Sequence, residues 1–295
     1  MIIEKRIPLS YWFNLIKWDM LTVTFFIFAI HYINKYVPDL KIPLPVGTFL
    51  GTAIALLLSF KLSHSYDRWW EARKIWGSIV NDSRTLVIQL KSFVGAGAKE
   101  KVNIIALRQI AWCYALSNAL RNLDLPENII GLVSSDDLNS LEGQSNIPLT
   151  LIDQHSEDIM HLHKDKEIND FQQIQLDSTL LRLVESMGRA ERIKNTPFPK
   201  TYRMTLHFFI YVFIITMSFS LTEMEDRAEI ILLLLISLPF FLLEKISQSI
   251  QDPFENKPMD TAMNSISSNI ENNIKDLMGV PSSVAVNNDD HFYHL

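Results

Sequence analysis

Three groups of residues in this chain have the types and spacing to do chemistry. His155, His161 and His163 lie close to Glu157 and Asp158, a set of nitrogen and oxygen donors that suits a divalent metal. No fixed ligand spacing marks them as a site, and they read first as a solvated helix face with no metal. The second group is the run Asp67, Arg68, Trp69, Trp70 and Glu71, with Arg73 close behind. Charges interleaved with tryptophan at the end of an apolar stretch suit a buried ion-pair cluster where a helix leaves a membrane better than a binding site.

The third group is largely apolar. Thr48, Thr52, Leu56, Phe60 and His64 recur every four residues, which keeps them on nearly one helical face. Gly47, Gly51, Ala55, Ser59 and Ser63 form a ladder of small residues beside them. Such ladders let transmembrane helices approach closely. Copies of this helix packed around an axis would bring Leu56 and Phe60 into an apolar ring, which gates by excluding water. Periodicity alone gives a plainer first reading for these two residues, contact with lipid or another helix.

Little else in the chain suggests a reaction. There is no nucleophile elbow, phosphate loop, zinc-protease motif or dinucleotide fingerprint, so no enzyme and no cofactor is expected. The single cysteine, Cys113, excludes an intramolecular disulfide and reads as a small buried residue. A formal net charge of −6 gives no basic footprint for nucleic acid.

The elements that must position these residues are helical, since no convincing alternating strand pattern occurs. With 48% hydrophobic and 20% charged residues, a modest membrane part joined to a large water-exposed part is expected. The apolar half of the striped helix, Val46 to Phe60, carries no charge, and from Lys61 the sequence turns charged with no Gly or Pro to stop a helix. One helix can therefore leave a membrane and continue into water. Four spans are expected, at about 18–37, 45–63, 203–222 and 228–247, the last kinked at Pro239. Ser10 is the expected cap of the first helix, and His31 is expected near a membrane boundary, hydrogen-bonded.

Lys5, Arg6 and Lys17 precede the first span, Lys61, Arg68, Arg73 and Lys74 follow the second, and Arg192, Lys194, Lys200 and Arg203 precede the third. By the positive-inside tendency those sides are cytoplasmic, which puts both termini inside and the acidic run EMEDRAE outside. Residues 64–200 and 248–275 then form a cytoplasmic helical region, with helices at 78–96, 106–123, 147–163 and 168–190. The polar tail, 276–295, is expected to be disordered. The chain begins without a signal-peptide pattern, because Glu4, Lys5 and Arg6 are followed by Pro8.

YDRWWEARKIWG, Tyr66 to Gly77, resembles the signature of the bestrophin family of pentameric ion channels. IPLPVGTFLG at Ile42 to Gly51, ERIKNTPFP at Glu191 to Pro199 and QDPFENKPMD at Gln251 to Asp260 follow the same pattern in the same order. The resemblance implies one channel domain over 1–275, assembled as a homopentamer around a central pore in the lipid bilayer. It also implies that the DRWWEAR segment supports structure and subunit packing. A pore neck on the second span falls on Thr52, Leu56 and Phe60, where Thr52 departs from the larger apolar residue usual in the family and should give a wetter, wider ring. A second, cytoplasmic constriction falls on Phe171, with Ile174 as the alternative.

Animal members bind calcium through an acidic run after an NPFG-like sequence. Here Asp252, Pro253, Phe254 and Glu255 are followed by Asn256 and Lys257, so no calcium activation is expected there. That lack is shared by bacterial relatives, which points to a bacterial inner-membrane channel. An apolar neck does not choose between ion signs. Animal members conduct chloride and other anions, bacterial relatives are associated with monovalent cations such as sodium, and the acidic net charge leans weakly to cations. A secondary transporter or a membrane scaffold without a pore are the alternatives.

Overall fold

The computed structural model describes residues 7–36 and 41–281, all in helices, turns and loops with no strand among them. The helices are α1 (Leu9–Asn34), α2 (Leu44–Phe93), α3 (Lys99–Leu120), α4 (Ser135–Leu141), α5 (Ile147–Lys164), α6 (Asp170–Asn195), α7 (Lys200–Ser220), α8 (Asp226–Gln251) and α9 (Met263–Met278). The described residues fall into two compact units, one of 7–36 and 41–69 with 197–252, and one of 70–196 with 253–281.

Among the described residues four helices are long and apolar enough to cross a membrane, Ser10–Asn34, Leu44–Phe93, Lys200–Ser220 and Asp226–Gln251; the first unit holds three of them and the first half of Leu44–Phe93. Its core joins Val23 and Ile27 of α1, Ile54 and Leu58 of α2, Ile210 and Phe213 of α7, and Leu233 and Phe241 of α8. α2 has 50 residues, far more than the roughly 20 a span requires. α1 starts earlier than the sequence suggests. Pro8, extended at φ −65°, is its cap, so Ser10 lies inside the helix and makes no cap. The expected end of this span at Val37 lies outside the described residues. α8 runs through Pro239 without ending, and the Ser237 hydroxyl donates to the Leu234 carbonyl beside it.

The small-residue ladder meets α7 within the chain. A Cβ on Gly47 would lie 2.4 Å from Met217 Sδ, and one on Gly51 would lie 3.1 Å from Phe213 Cε2. A side chain at either rung would make Met217 or Phe213 shift. Ala55, Ser59 and Ser63 stay exposed.

The second unit packs the end of α2 with α3, α5, α6 and α9 around Trp76 and Trp112, both fully buried. α3 begins at Lys99, earlier than the periodic run from 106, because Val102 and Ile105 already face this core. Asn169 and Gln172 close a capping box that starts α6, which extends to Asn195. α9 ends at Met278 with Gly279 in the left-handed region at φ 71°, so the first residues of the expected disordered tail are helical. The rest of that tail, from 282, lies outside the described residues.

His155 corrects the expectation of a solvated histidine face on α5. It is fully buried, and neither ring nitrogen has a hydrogen-bond partner. His161 is exposed, and His163 Nε2 sits 2.6 Å from Asp170 Oδ1. Burial, with Arg108 nearby, pushes the His155 imidazole down from 6.5 to about 3. Arg108 itself is held by Asp137 and Asp158. Across that window the unfolded chain binds a proton that the folded chain refuses. Stability therefore falls as pH drops from 6.5 toward 3 and is unaffected by this group above 6.5. Replacing His155 by Leu should flatten the acid side of a thermal-unfolding profile in detergent by about 1.4 kcal/mol per pH unit. Identical acid slopes in parent and variant would refute the assignment.

Candidate pore-lining site

Two faces of α2 have opposite fates within the chain. Ile54, Leu58, Lys61 and Ser65 are buried. Residues two further along the first pair, Leu56 and Phe60, lie about 200° around the axis and are 57% and 54% exposed. Thr48, Thr52 and His64 are exposed on the same stripe. One continuous helix thus presents Thr48, Thr52, Leu56, Phe60 and His64 to whatever lies outside the chain.

The hydroxyls on this stripe are partly committed. Thr52 Oγ1 donates to the Thr48 carbonyl at 2.9 Å, and Thr48 Oγ1 donates to the Leu44 carbonyl at 3.2 Å. Each proton is used on the helix backbone, so the oxygen lone pairs remain for water or a passing ion.

Phe171 and Ile174 occupy the first turns of α6, in the other unit, and are 81% and 61% exposed. Both are apolar side chains without a covering partner in the core of their own unit.

The DRWWEAR segment is less buried within one chain than its composition suggests. Asp67 and Trp70 are exposed, and Arg68 is half-buried, with Nε donating to the Gln251 carbonyl at 3.0 Å and Nη2 lying 3.4 Å from Asp252 Oδ1. Glu71 pairs with Lys74 one turn on, at 2.6 Å, and Trp69 stacks against Tyr66 with ring centroids 5.9 Å apart. Arg73 is half-buried.

Sequence reasoning missed the buried ion pair of the spanning unit. Lys61, one of the charges that follow the second span in the sequence, is fully buried with its Nζ 2.9 Å from Glu244 Oε1 on α8, which is also fully buried. His207 Nε2 of α7 lies 3.4 Å from the other carboxylate oxygen. A second polar cluster joins α1, α7 and α8. His31 Nδ1 sits 2.9 Å from Glu229 Oε2, Ser218 Oγ donates to Glu229 Oε1 at 2.6 Å, and Asn34 Nδ2 donates to Ser218 at 2.8 Å. His31 is hydrogen-bonded, as its position suggested.

The QDPFENKPMD segment folds into a turn whose tip, Glu255 to Lys257, is exposed while Pro253, Phe254 and Asp260 are buried. Asp260 is fully buried, where burial pushes its carboxyl up, while backbone N–H groups of 255–257 and the Arg121 charge pull it down. The described residues of one chain hold no group of three or more His, Cys, Asp or Glu placed to bind a metal.

Against known proteins, the description "Bacterial/Fungal Bestrophin protein" covers residues 12–276. A voltage-dependent anion channel-forming protein of Ralstonia nicotianae is 27% identical over 293 residues, spanning 93% of this chain and 94% of its own length. The voltage-dependent anion channel-forming protein YneE of Escherichia coli is 28% identical over 232 residues, 79% of this chain and 76% of its own. A solved bacterial bestrophin homolog from Klebsiella pneumoniae shares the fold with a TM-score of 0.83 at 24% identity, over 90% of this chain and 99% of that one. With a family match that runs over residues 12–276 and so takes in most of both units, this chain belongs to the bacterial and fungal bestrophin family.

Proposed function

We propose that copies of this chain, five by family resemblance, surround a shared axis with α2 innermost, and that small monovalent ions pass between them. Membership of the family supports an ion channel and no enzyme. The observation that carries the reading is the exposed stripe Thr52, Leu56 and Phe60 on a helix whose other face is buried in its own chain. In water or lipid such a stripe needs no regular spacing. In a ring of copies it forms a stack of side-chain rings, with a hydroxyl ring at Thr52 above two apolar rings.

Phe171, with Ile174 as the alternative, forms a second constriction in the cytoplasmic region, both termini face the cytoplasm, and the membrane is the inner membrane of a bacterium. The names of the relatives favour anions, and the −6 net charge favours cations weakly. Neither the neck nor its apolar rings selects a sign.

Purified protein in a bilayer under asymmetric NaCl should carry downhill current with no coupled substrate. A reversal potential near that of chloride assigns anions, and one near that of sodium assigns cations. Flux only with a coupled substrate would make the protein a transporter. No flux at all would leave a membrane scaffold.

A further inference from the structure

We propose that His64 forms a ring of imidazoles, one from each copy, next to the Phe60 ring, and that this ring binds a divalent transition-metal ion that closes the path. The inference rests on the reading that the Thr52 to Phe60 stripe faces a shared axis.

The stripe does not end at Phe60. α2 continues through Leu44–Phe93 without interruption, and His64 is the next residue at the same spacing, about 6 Å further along the axis. It is exposed, like Phe60 before it. On a regular helix His64 lies about 40° around from Phe60 and about 80° from Leu56, so it borders the same face.

Charged neighbours leave the imidazole available. Lys61, one turn back, is turned into the chain and paired with Glu244. Arg68, one turn on, reaches Gln251 and Asp252. Asp67 is exposed three residues on, so its carboxylate shares this face and adds negative charge beside the ring. Imidazole is a ligand of choice for zinc, copper and nickel, while magnesium prefers oxygen and keeps its water. One chain supplies one imidazole only, so the site is incomplete without the other copies.

The test uses nickel chloride as the probe, on bilayer currents of the full-length protein. Nickel should reduce the current, a chelator should restore it, and magnesium at the same concentration should not act. His64→Ala and His64→Gln should each raise the blocking concentration by at least the tenfold to hundredfold that lesser metal-site changes cost. A third variant, His64→Cys, reads accessibility without metal. A charged thiol reagent should cut its current while leaving the parent untouched, because the native Cys113 is buried and its thiol is pushed up to about 12.

Four outcomes are distinct. Block lost in the His64 variants supports the ring. Block unchanged in them, or absent in the parent, overturns it. Variants at Leu56 and Phe60 that alter conductance while nickel never blocks would keep the neck and remove the ring. Nickel block through His64, with Leu56 and Phe60 variants conducting as the parent does, would keep the ring and remove the neck.

Discussion

Truncating Leu56 and Phe60 together to alanine is expected to raise single-channel conductance roughly fivefold. The reasoning is energetic. An apolar ring resists ions because water leaves it, and an ion entering it loses hydration without gaining a replacement. If truncation lowers that barrier by about 1 kcal/mol, throughput rises about fivefold, since 1.4 kcal/mol is a factor of ten. The fold should tolerate the change, because both side chains are more than half exposed within the chain and fill no part of its core.

Residues on the other face of the same helix supply the control. Ile54 and Leu58 are 1% exposed, packed with α1, α7 and α8. Alanine there should cost about 2–5 kcal/mol of stability from the cavity left behind while leaving the conductance of folded channels near the parent value. A conductance that responds equally at both faces, or at neither, would mean that the stripe does not line the path.

This contrast between the two faces was legible from sequence only in part. Spacing of four put Thr52, Leu56 and Phe60 on one stripe, and the lack of any breaker after Lys61 foretold the single long α2. Spacing could not say which stripe would be taken up inside the chain, because that depends on where α7 and α8 pack. Gly47 and Gly51 illustrate this. Their small size read as room for another copy, yet the nearest atoms belong to Met217 and Phe213 of the same chain. His155 was hidden for a related reason. With Glu157, Asp158, His161 and His163 around it His155 read as part of a solvated face, although the helical period returns Leu151, Ile152, His155, Ile159 and Leu162 to one buried face. Phe171 sits at the start of a helix defined by its capping box, with no motif around it. The pair of Lys61 and Glu244 leaves no local trace at all, because its members are 183 residues apart.

That pair carries the second large effect. Lys61→Met should destabilise the protein by about 3–5 kcal/mol, because Glu244 is left buried and charged without its partner. Glu244→Leu should cost a similar amount by stranding Lys61. Combining the two removes both charges, and the double variant should recover most of the loss, as apolar replacements of buried pairs commonly do. Thermal or denaturant unfolding of the four proteins in detergent gives the coupling directly. Single variants as stable as the parent would mean that water reaches the pair and screens it.

The pair also bears on the path itself. Lys61 and Phe60 are neighbours, about 100° apart around α2. Holding Lys61 against α8 therefore holds Phe60 toward the stripe, and an apolar pair at 61 and 244 packs without fixing direction as a charged, hydrogen-bonded one does. The double variant should then regain most of the parent's stability while its conductance differs. A positional role predicts that split, and a purely structural role predicts parental conductance once stability is restored.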